Sequence, residues 1–224
     1  MTKHVAQRFS AAIAGLKACA TFCLFAFAAV GVLAQAPDRP AVGPSRPFQL
    51  GPRVERTLPN GLRVIVTRQD VVPKVTLMLT FMSGYSSDPA NMTGLANLTA
   101  DAVQEGTKTK NSRQIRAEVF GMGGSLSSAA SQDFSQLVVR GLSEFTPQLL
   151  GMLADVAMNP TLPADEIAIL KQQRLQGVMQ QKASPQFLAN REFRKALFGE
   201  HPYARTSETE ATLQVIDRAA IENF

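Results

Sequence analysis

Histidine and cysteine are nearly missing from this chain. Its 224 residues hold two of each, and His4, Cys19 and Cys23 all fall within the first 34 positions. Removing that stretch leaves His201 and no cysteine. Such a chain draws nothing from disulfides. It also cannot assemble an ordinary zinc site, which takes most of its ligands from those two residue types. A strong charge excess is missing as well. The formal net charge is +5, but Lys3, Arg8 and Lys17 lie in the first 34 residues, which contain no acid. Without them, 20 Lys+Arg face 18 Asp+Glu, a net of +2. That balance excludes a nucleic-acid binder that works through bulk charge.

The first 34 residues read as a secretory leader. Lys3, Arg8 and Lys17 form a basic n-region, and Ala18 to Ala34 is uncharged and mostly apolar. Val32-Leu33-Ala34 puts small residues where a signal peptidase cuts, which predicts Gln35 as the mature start and a periplasmic or secreted location. The uncharged stretch is at the short end of what spans a bilayer, so no stable membrane span is expected after cleavage. Cys19 and Cys23 lack the small-residue setting of a lipid-attachment site.

Residues 35–53 carry Pro37, Pro40, Pro44, Pro47 and Pro52 and read as an extended linker. Folded structure is expected over 54–224. "RTLPNGLRVIVTRQ" holds the turn Asn60-Gly61 and the β-branched run Val64-Ile65-Val66. In "KVTLMLTFMSG", Val75, Leu77, Leu79 and Phe81 alternate with Thr76, Met78, Thr80 and Met82, the period of a strand. "TGLANLTADAVQEGT" follows as a short amphipathic helix, with Thr93 able to cap it and Gly106 to stop it. A second helix is expected over Ser112 to Met122, with Gly121, Gly123 and Gly124 forming the turn after it. "SLSSAASQDFSQLVVRGL" reads as two paired strands. Phe145 to Met158 is a helix with Leu149, Leu150, Leu153, Val156 and Ala157 on its buried side. Asn159-Pro160 breaks it. Ala164 to Lys182 is a long helix with Asp165 and Glu166 in its first turn, as the macrodipole favours. Pro185 opens another helix to Phe198, and "AAIENF" lies in a last one. These elements predict an α+β fold, a mostly antiparallel sheet with helices packed on one face.

The order of these pieces resembles the pitrilysin/insulinase family of zinc peptidases. The stretches that carry the likeness are "LPNGLRVIV", "SGYSSDP", "TGLANLTADAVQEGT", "GGSLSSAASQDFS", "LADVAMNPTLPADEI" and "LFGEHPYAR". None is specific alone, but all six occur in the family's order and cover most of 56–224. The resemblance implies an insulinase-type domain, the N-terminal one, in a chain that stops where the family continues. Active members use an inverted motif, His-x-x-Glu-His, and a Glu on a later helix. Two His at i and i+4 share one helical face and can hold one Zn²⁺. The Glu between them takes the proton of the zinc-bound water.

That motif falls here on Asn97-Leu98-Thr99-Ala100-Asp101. The first ligand becomes Asn97, the general base Ala100 and the second ligand Asp101. The remote Glu falls at or near Gly177, with no carboxylate between Lys171 and Lys182. The resemblance therefore implies a non-catalytic member, with no cofactor of its own and zinc in a partner. That partner would be a catalytically complete subunit of the same family, forming with this chain a heterodimeric chamber for unfolded peptides. The strand at Ser125, Leu126, Ser127 and Ser128 matches the one on which the family pairs extended substrate, a case of β-augmentation. An edge strand kept polar against aggregation is the plainer account of the same serines. Two other functions stay open. One is an active zinc endopeptidase with ligands outside these residues, and the other is a structural scaffold of a membrane assembly.

Several residues read as structural. Asp101 and Glu105, at i and i+4, fall short of the six or more oxygens a hard cation takes. His201 precedes Pro202 and reads as a turn residue. Gly177 inside a helix costs about 1 kcal/mol relative to Ala, so it either permits close packing or lines a space that a ligand side chain fills in an active relative.

Overall fold

The computed structural model describes Gly43 and residues 51–69, 71–205 and 207–224. The leader over 1–34 lies outside the described residues, as does the linker up to residue 50 apart from Gly43. The chain divides into two units, 1–67 and 68–224.

In the first unit, β1 (Arg53–Thr57) and β2 (Arg63–Thr67) form an antiparallel hairpin in the register Arg53↔Thr67 to Thr57↔Arg63. Asn60-Gly61 turns it. Gly61 takes a φ of 84°, and the Asn60 Oδ1 accepts from the Leu62 N–H at 3.1 Å. A side-chain oxygen bonding the backbone two residues on is what makes Asn a turn former.

The second unit runs β3 (Lys74–Phe81), α1 (Leu95–Ala102), α2 (Ser112–Gly121), β4 (Ser125–Ala130), β5 (Ser135–Leu142), α3 (Thr146–Met158), α4 (Ala164–Lys182), α5 (Pro185–Phe198), α6 (Glu210–Val215) and α7 (Arg218–Asn223). Its sheet is antiparallel throughout, in the order β3-β5-β4. Alternation decides which face is covered. Val75, Leu77 and Leu79 of β3 and Leu137 and Val139 of β5 point toward α2 and α3. Thr76, Met78 and Thr80 face the other way and are exposed. The expected α+β architecture with helices on one face is therefore the one observed.

Two apolar clusters fill the space under the helices. Ile115, Val119, Leu149, Met152, Leu153 and Val156 pack on the sheet. Leu95, Leu98, Ile167, Val178, Leu213, Ile216 and Ile221 join α1 to α4, α6 and α7. Val103, just past α1, packs against both. On α3 the expected inward set needs one exchange. Leu150 is 54% exposed and Met152 is buried, because the helix rotates Met152 onto the sheet with Leu149 and Leu153.

The entry to α1 also differs from expectation. Thr93 turns its hydroxyl back to the Ala90 carbonyl and caps nothing. The N-cap is Gly94, at a φ of 102°. The capping oxygens come from Asp88, whose carboxylate accepts from the N–H of Gly94 at 2.7 Å and of Ala96 at 2.9 Å. Such a remote cap leaves no spacing signal in the helix itself. The helix ends at Ala102, short of Gly106. Gly106 instead bridges to Asn111, and a Cβ there would meet Thr161 Oγ1 at 2.8 Å. Downstream, Asn111 and Gln114 form a capping box on α2. Gly123 and Gly124 make the expected turn into β4. A Cβ on Gly124 would lie 1.9 Å from the Arg140 carbonyl oxygen.

Two outcomes follow from this packing. Gly124→Ala forces backbone apart in the β4–β5 ladder and costs about 3 kcal/mol. Gly121→Ala, where a Cβ meets open space, is neutral or stabilises by about 0.5–1 kcal/mol. Urea midpoints at constant m-value read both. Burial raises the Asp88 carboxyl above its ordinary value, against the pull of the Ala96 and Gly94 N–H groups and of Arg205. The native state thus holds the Asp88 proton more tightly than the unfolded chain does. The contribution of Asp88 to stability then falls as pH rises from its ordinary value through the raised native one. The stability of wild type relative to Asp88→Asn should decline across that acid window and level off above it. A difference that grew with pH would contradict the assignment.

Candidate functional site

The motif positions sit together on α1, as the pattern requires. Asn97 and Asp101 are half-buried at i and i+4 on one face, and Ala100 is buried beside them. Their chemistry does not fit zinc. Asn97 offers a neutral amide oxygen, Ala100 has no proton acceptor, and Asp101 is already engaged.

Its partner is Arg174, from the long helix α4. The Arg174 guanidinium donates to Asp101 Oδ2 from Nη2 at 2.6 Å and from Nε at 3.0 Å. Its Nη1 donates to Glu208 Oε1 at 2.9 Å. One planar cation thus ties α1, α4 and the segment before α6 together. The side chains of Arg174 and Glu208 are only 19% and 11% exposed, so solvent screens the contact weakly. Arg174 lies three residues before Gly177, on the same face of α4. A Cβ on Gly177 would meet nothing within 4 Å. Close packing therefore does not account for that glycine; open space lies where a longer side chain would reach.

The other acid of the pair, Glu105, is held by Arg116 at 3.3 Å. Asp101 and Glu105 are thus each committed to an arginine. Among the described residues, no group of three or more His, Cys, Asp or Glu side chains is placed to hold a metal ion.

On its flank toward the sheet, α1 leaves a cavity of about 270 Å³. The small side chains Ala96 and Ala100 open it, and Leu137 and Ala157 line it. The Thr99 hydroxyl is buried on this side without a hydrogen-bond partner. Ser128 reaches the same flank from β4. It donates to the Ala100 carbonyl and accepts from Gln104 Nε2 at 3.0 Å. A side chain of the edge strand is therefore bonded to the backbone at the position of the missing general base.

The four residues expected on the peptide-pairing strand lie on β4, at the outside of the sheet order. Their side chains split by alternation. Ser125 and Ser127 are exposed, Leu126 packs against the sheet core, and Ser128 bonds α1. Among the described residues, β4 pairs only with β5. The turn leading from β4 to β5 is held from outside. Tyr203 Oη donates to both carboxylate oxygens of Asp133 at 2.8 Å, and Arg194 donates to the Tyr203 carbonyl. The Asp133 carboxylate raises the Tyr203 phenol above its ordinary value. His201 is the turn residue its sequence indicated, with Nδ1 accepting from the Tyr203 N–H at 3.2 Å.

Arg174, Glu208, Gln104 and the Tyr203–Asp133 pair are absent from the residues picked out by sequence. One signal pointed to Arg174. In a stretch of α4 without carboxylates, it is the cation one turn before Gly177.

Comparison with known proteins gives a consistent result. Residues 63–210 match the family model for insulinase, peptidase family M16. A protein described as an uncharacterized zinc protease from Mycobacterium bovis is 25% identical over 78% of this chain and 40% of its own length. A non-peptidase homologue from Helicobacter pylori is 25% identical over 64% of this chain and 33% of its own. Among solved structures, a peptidase M16 inactive domain from Pseudomonas fluorescens is 31% identical. Its TM-score is 0.72, over 76% of this chain and 42% of that one. The chain thus spans about two fifths of the length of the first of these relatives.

Removing Arg174 leaves Asp101 and Glu208 as partly buried, unpaired carboxylates. Arg174→Met should cost about 2–3 kcal/mol, below the full cost of a deeply buried broken pair because Asp101 is 32% exposed. A double-mutant cycle with Asp101→Asn should return a coupling of about 1 kcal/mol or more. Strict additivity in that cycle would show that the contact carries no stability.

Proposed function

This chain belongs to the insulinase family, peptidase family M16, and we propose that it is a non-catalytic, exported member that grips peptide for a catalytically complete, zinc-bearing subunit. The observation that carries the reading is the donor chemistry of α1. The positions for two zinc ligands and a general base hold Asn97, Asp101 and Ala100, and Asp101 is bonded to Arg174. The names of two relatives, an inactive M16 domain and a non-peptidase homologue, agree with this. Without zinc chemistry the scaffold has binding and support as its remaining uses. The chain supplies a chamber wall and the β4 edge. An extended, unfolded peptide adds to that edge through backbone bonds, which make little demand on sequence. Export follows from the leader, and zinc belongs to the partner.

A second reading is a zinc endopeptidase whose ligands lie in another part of the protein. The zinc-protease names of several relatives, and the two-fifths share of their length spanned here, favour it to that extent. A third, a purely structural scaffold, binds no peptide.

Zinc content and peptide hydrolysis of the full-length mature protein, purified without a partner, test the first reading against the second. The expected result is near-zero zinc and no hydrolysis. About one tightly held zinc per chain, removed together with activity, would establish the enzyme instead. Hydrogen exchange tests the peptide grip. An unfolded peptide should slow exchange of the β4 amides, Leu126 to Ala129, and leave α3 unchanged. No change at β4 under saturating peptide would leave the scaffold.

A further inference from the structure

We infer that Arg174 is a built-in replacement for the metal: its guanidinium makes the cross-link between α1 and α4 that a zinc ion makes in active relatives, and by doing so closes the site to divalent cations. The family register puts the ligands on two helices, at positions 97 and 101 of α1 and near 177 of α4. In this chain the same two helices are joined by a cation. The Arg174 guanidinium is bonded at 2.6 Å to the side chain at position 101 itself, and it leaves α4 one turn before Gly177. Glu208 fixes its far side at 2.9 Å. Two carboxylates around one guanidinium leave a local charge of −1, so the cation is well matched from both sides.

The arrangement answers a problem that loss of zinc creates. A metal bridging two helices contributes to folding directly, because the site does not exist in the unfolded chain. A relative that drops its ligands loses that link. Two guanidinium N–H groups, Nε and Nη2, donating to one carboxylate oxygen restore a fixed-geometry link, and Arg stays charged at any physiological pH. It needs neither a metal supply nor ligand deprotonation, so the fold is independent of zinc. The same guanidinium occupies the side chain at position 101 and puts a positive charge against it, so it competes with Zn²⁺ for that side chain. Ligand loss and metal exclusion are thus two separate features of this chain. The inference rests on the family register of α1 and α4 and not on the peptide-gripping role proposed above.

A ligand graft tests it in the full chain. Asn97→His and Gly177→Glu together supply ligand types beside Asp101, which is kept so that its bond to Arg174 is the variable tested, and the space at Gly177 accepts the longer side chain. The graft is made with Arg174 intact and again with Arg174→Met. Zinc is read by elemental analysis and titration, and far-UV circular dichroism checks that each graft folds. With Arg174 intact, zinc should be far below one per chain. With Arg174→Met, it should approach about one, with binding tighter by about 100-fold or more. Equal zinc in both grafts, or none in either, would overturn the exclusion.

The cross-link is read without any graft. The Tm of wild type should not respond to EDTA or to added zinc, whereas Arg174→Met alone should lower it. An Arg174→Met Tm equal to wild type, or a wild-type Tm lowered by EDTA, would overturn that half. Neither readout depends on peptide binding or on a partner subunit.

Discussion

An eight-residue helix does not hold itself together in water, because nucleation costs more than two turns of hydrogen bonds return. Helix α1 is such a helix, and the rest of the fold is arranged to keep it in place. Leu95 and Leu98 anchor it in one apolar cluster, and Val103 joins that cluster to the one on the sheet. Asp88 supplies the oxygens that satisfy its first N–H groups. Ser128 ties the Ala100 carbonyl to β4, and Arg174 ties Asp101 to α4. Each support comes from a different element, so the position of α1 is over-determined. A helix held this firmly is what a zinc peptidase needs to keep two ligands in geometry, and this chain retains the mounting without the ligands.

The two arginine contacts show how such a surface is stabilised without a metal. A partly buried face cannot hold unpaired carboxylates without cost. Without Arg174, Asp101 would be half-buried and unpaired, next to Glu208. Arg174 lies between the two and offsets one of their charges, and Arg116 pairs with Glu105 at the helix exit. The small side chains on the flank toward the sheet, Ala96 and Ala100, leave a cavity in place of a packed contact. Stability on this helix therefore rests on its caps and ion pairs and on one flank of apolar packing.

The β4–β5 hairpin is held with similar redundancy. Its turn is bonded by the segment after β3, through the N–H groups of Tyr85 and Ser86 to the carbonyls of Ser131 and Gln132. Tyr203 grips Asp133 from the other side. Because the turn end of β4 is fixed and Ser128 bonds the Ala100 carbonyl, its outer edge is presented at a set distance from α1. That rigidity suits strand addition, since an edge already in register demands less ordering on binding.

Much of this was legible in the residues themselves. Helices α4 and α5 begin and end where Ala164, Lys182, Pro185 and Phe198 place them, because acids, a proline and charge at the termini are local signals. Strand alternation over Val75 to Leu79 set the buried face, and the Asn60-Gly61 turn set the hairpin. The emptied motif on Asn97, Ala100 and Asp101 needed only the order of the chain and the types of the side chains. Other features depended on contacts between residues distant in sequence. Asp88 caps α1 from six residues before Gly94, Arg174 meets Asp101 across 73 positions, and Tyr203 meets Asp133 across 70. Such pairs leave no periodicity, since each partner satisfies local rules wherever it stands. Local preference and composition therefore determined the elements and what the site cannot do. Only the tertiary structure, by bringing two helices and the segment before α6 to one point, decided that a guanidinium holds them there.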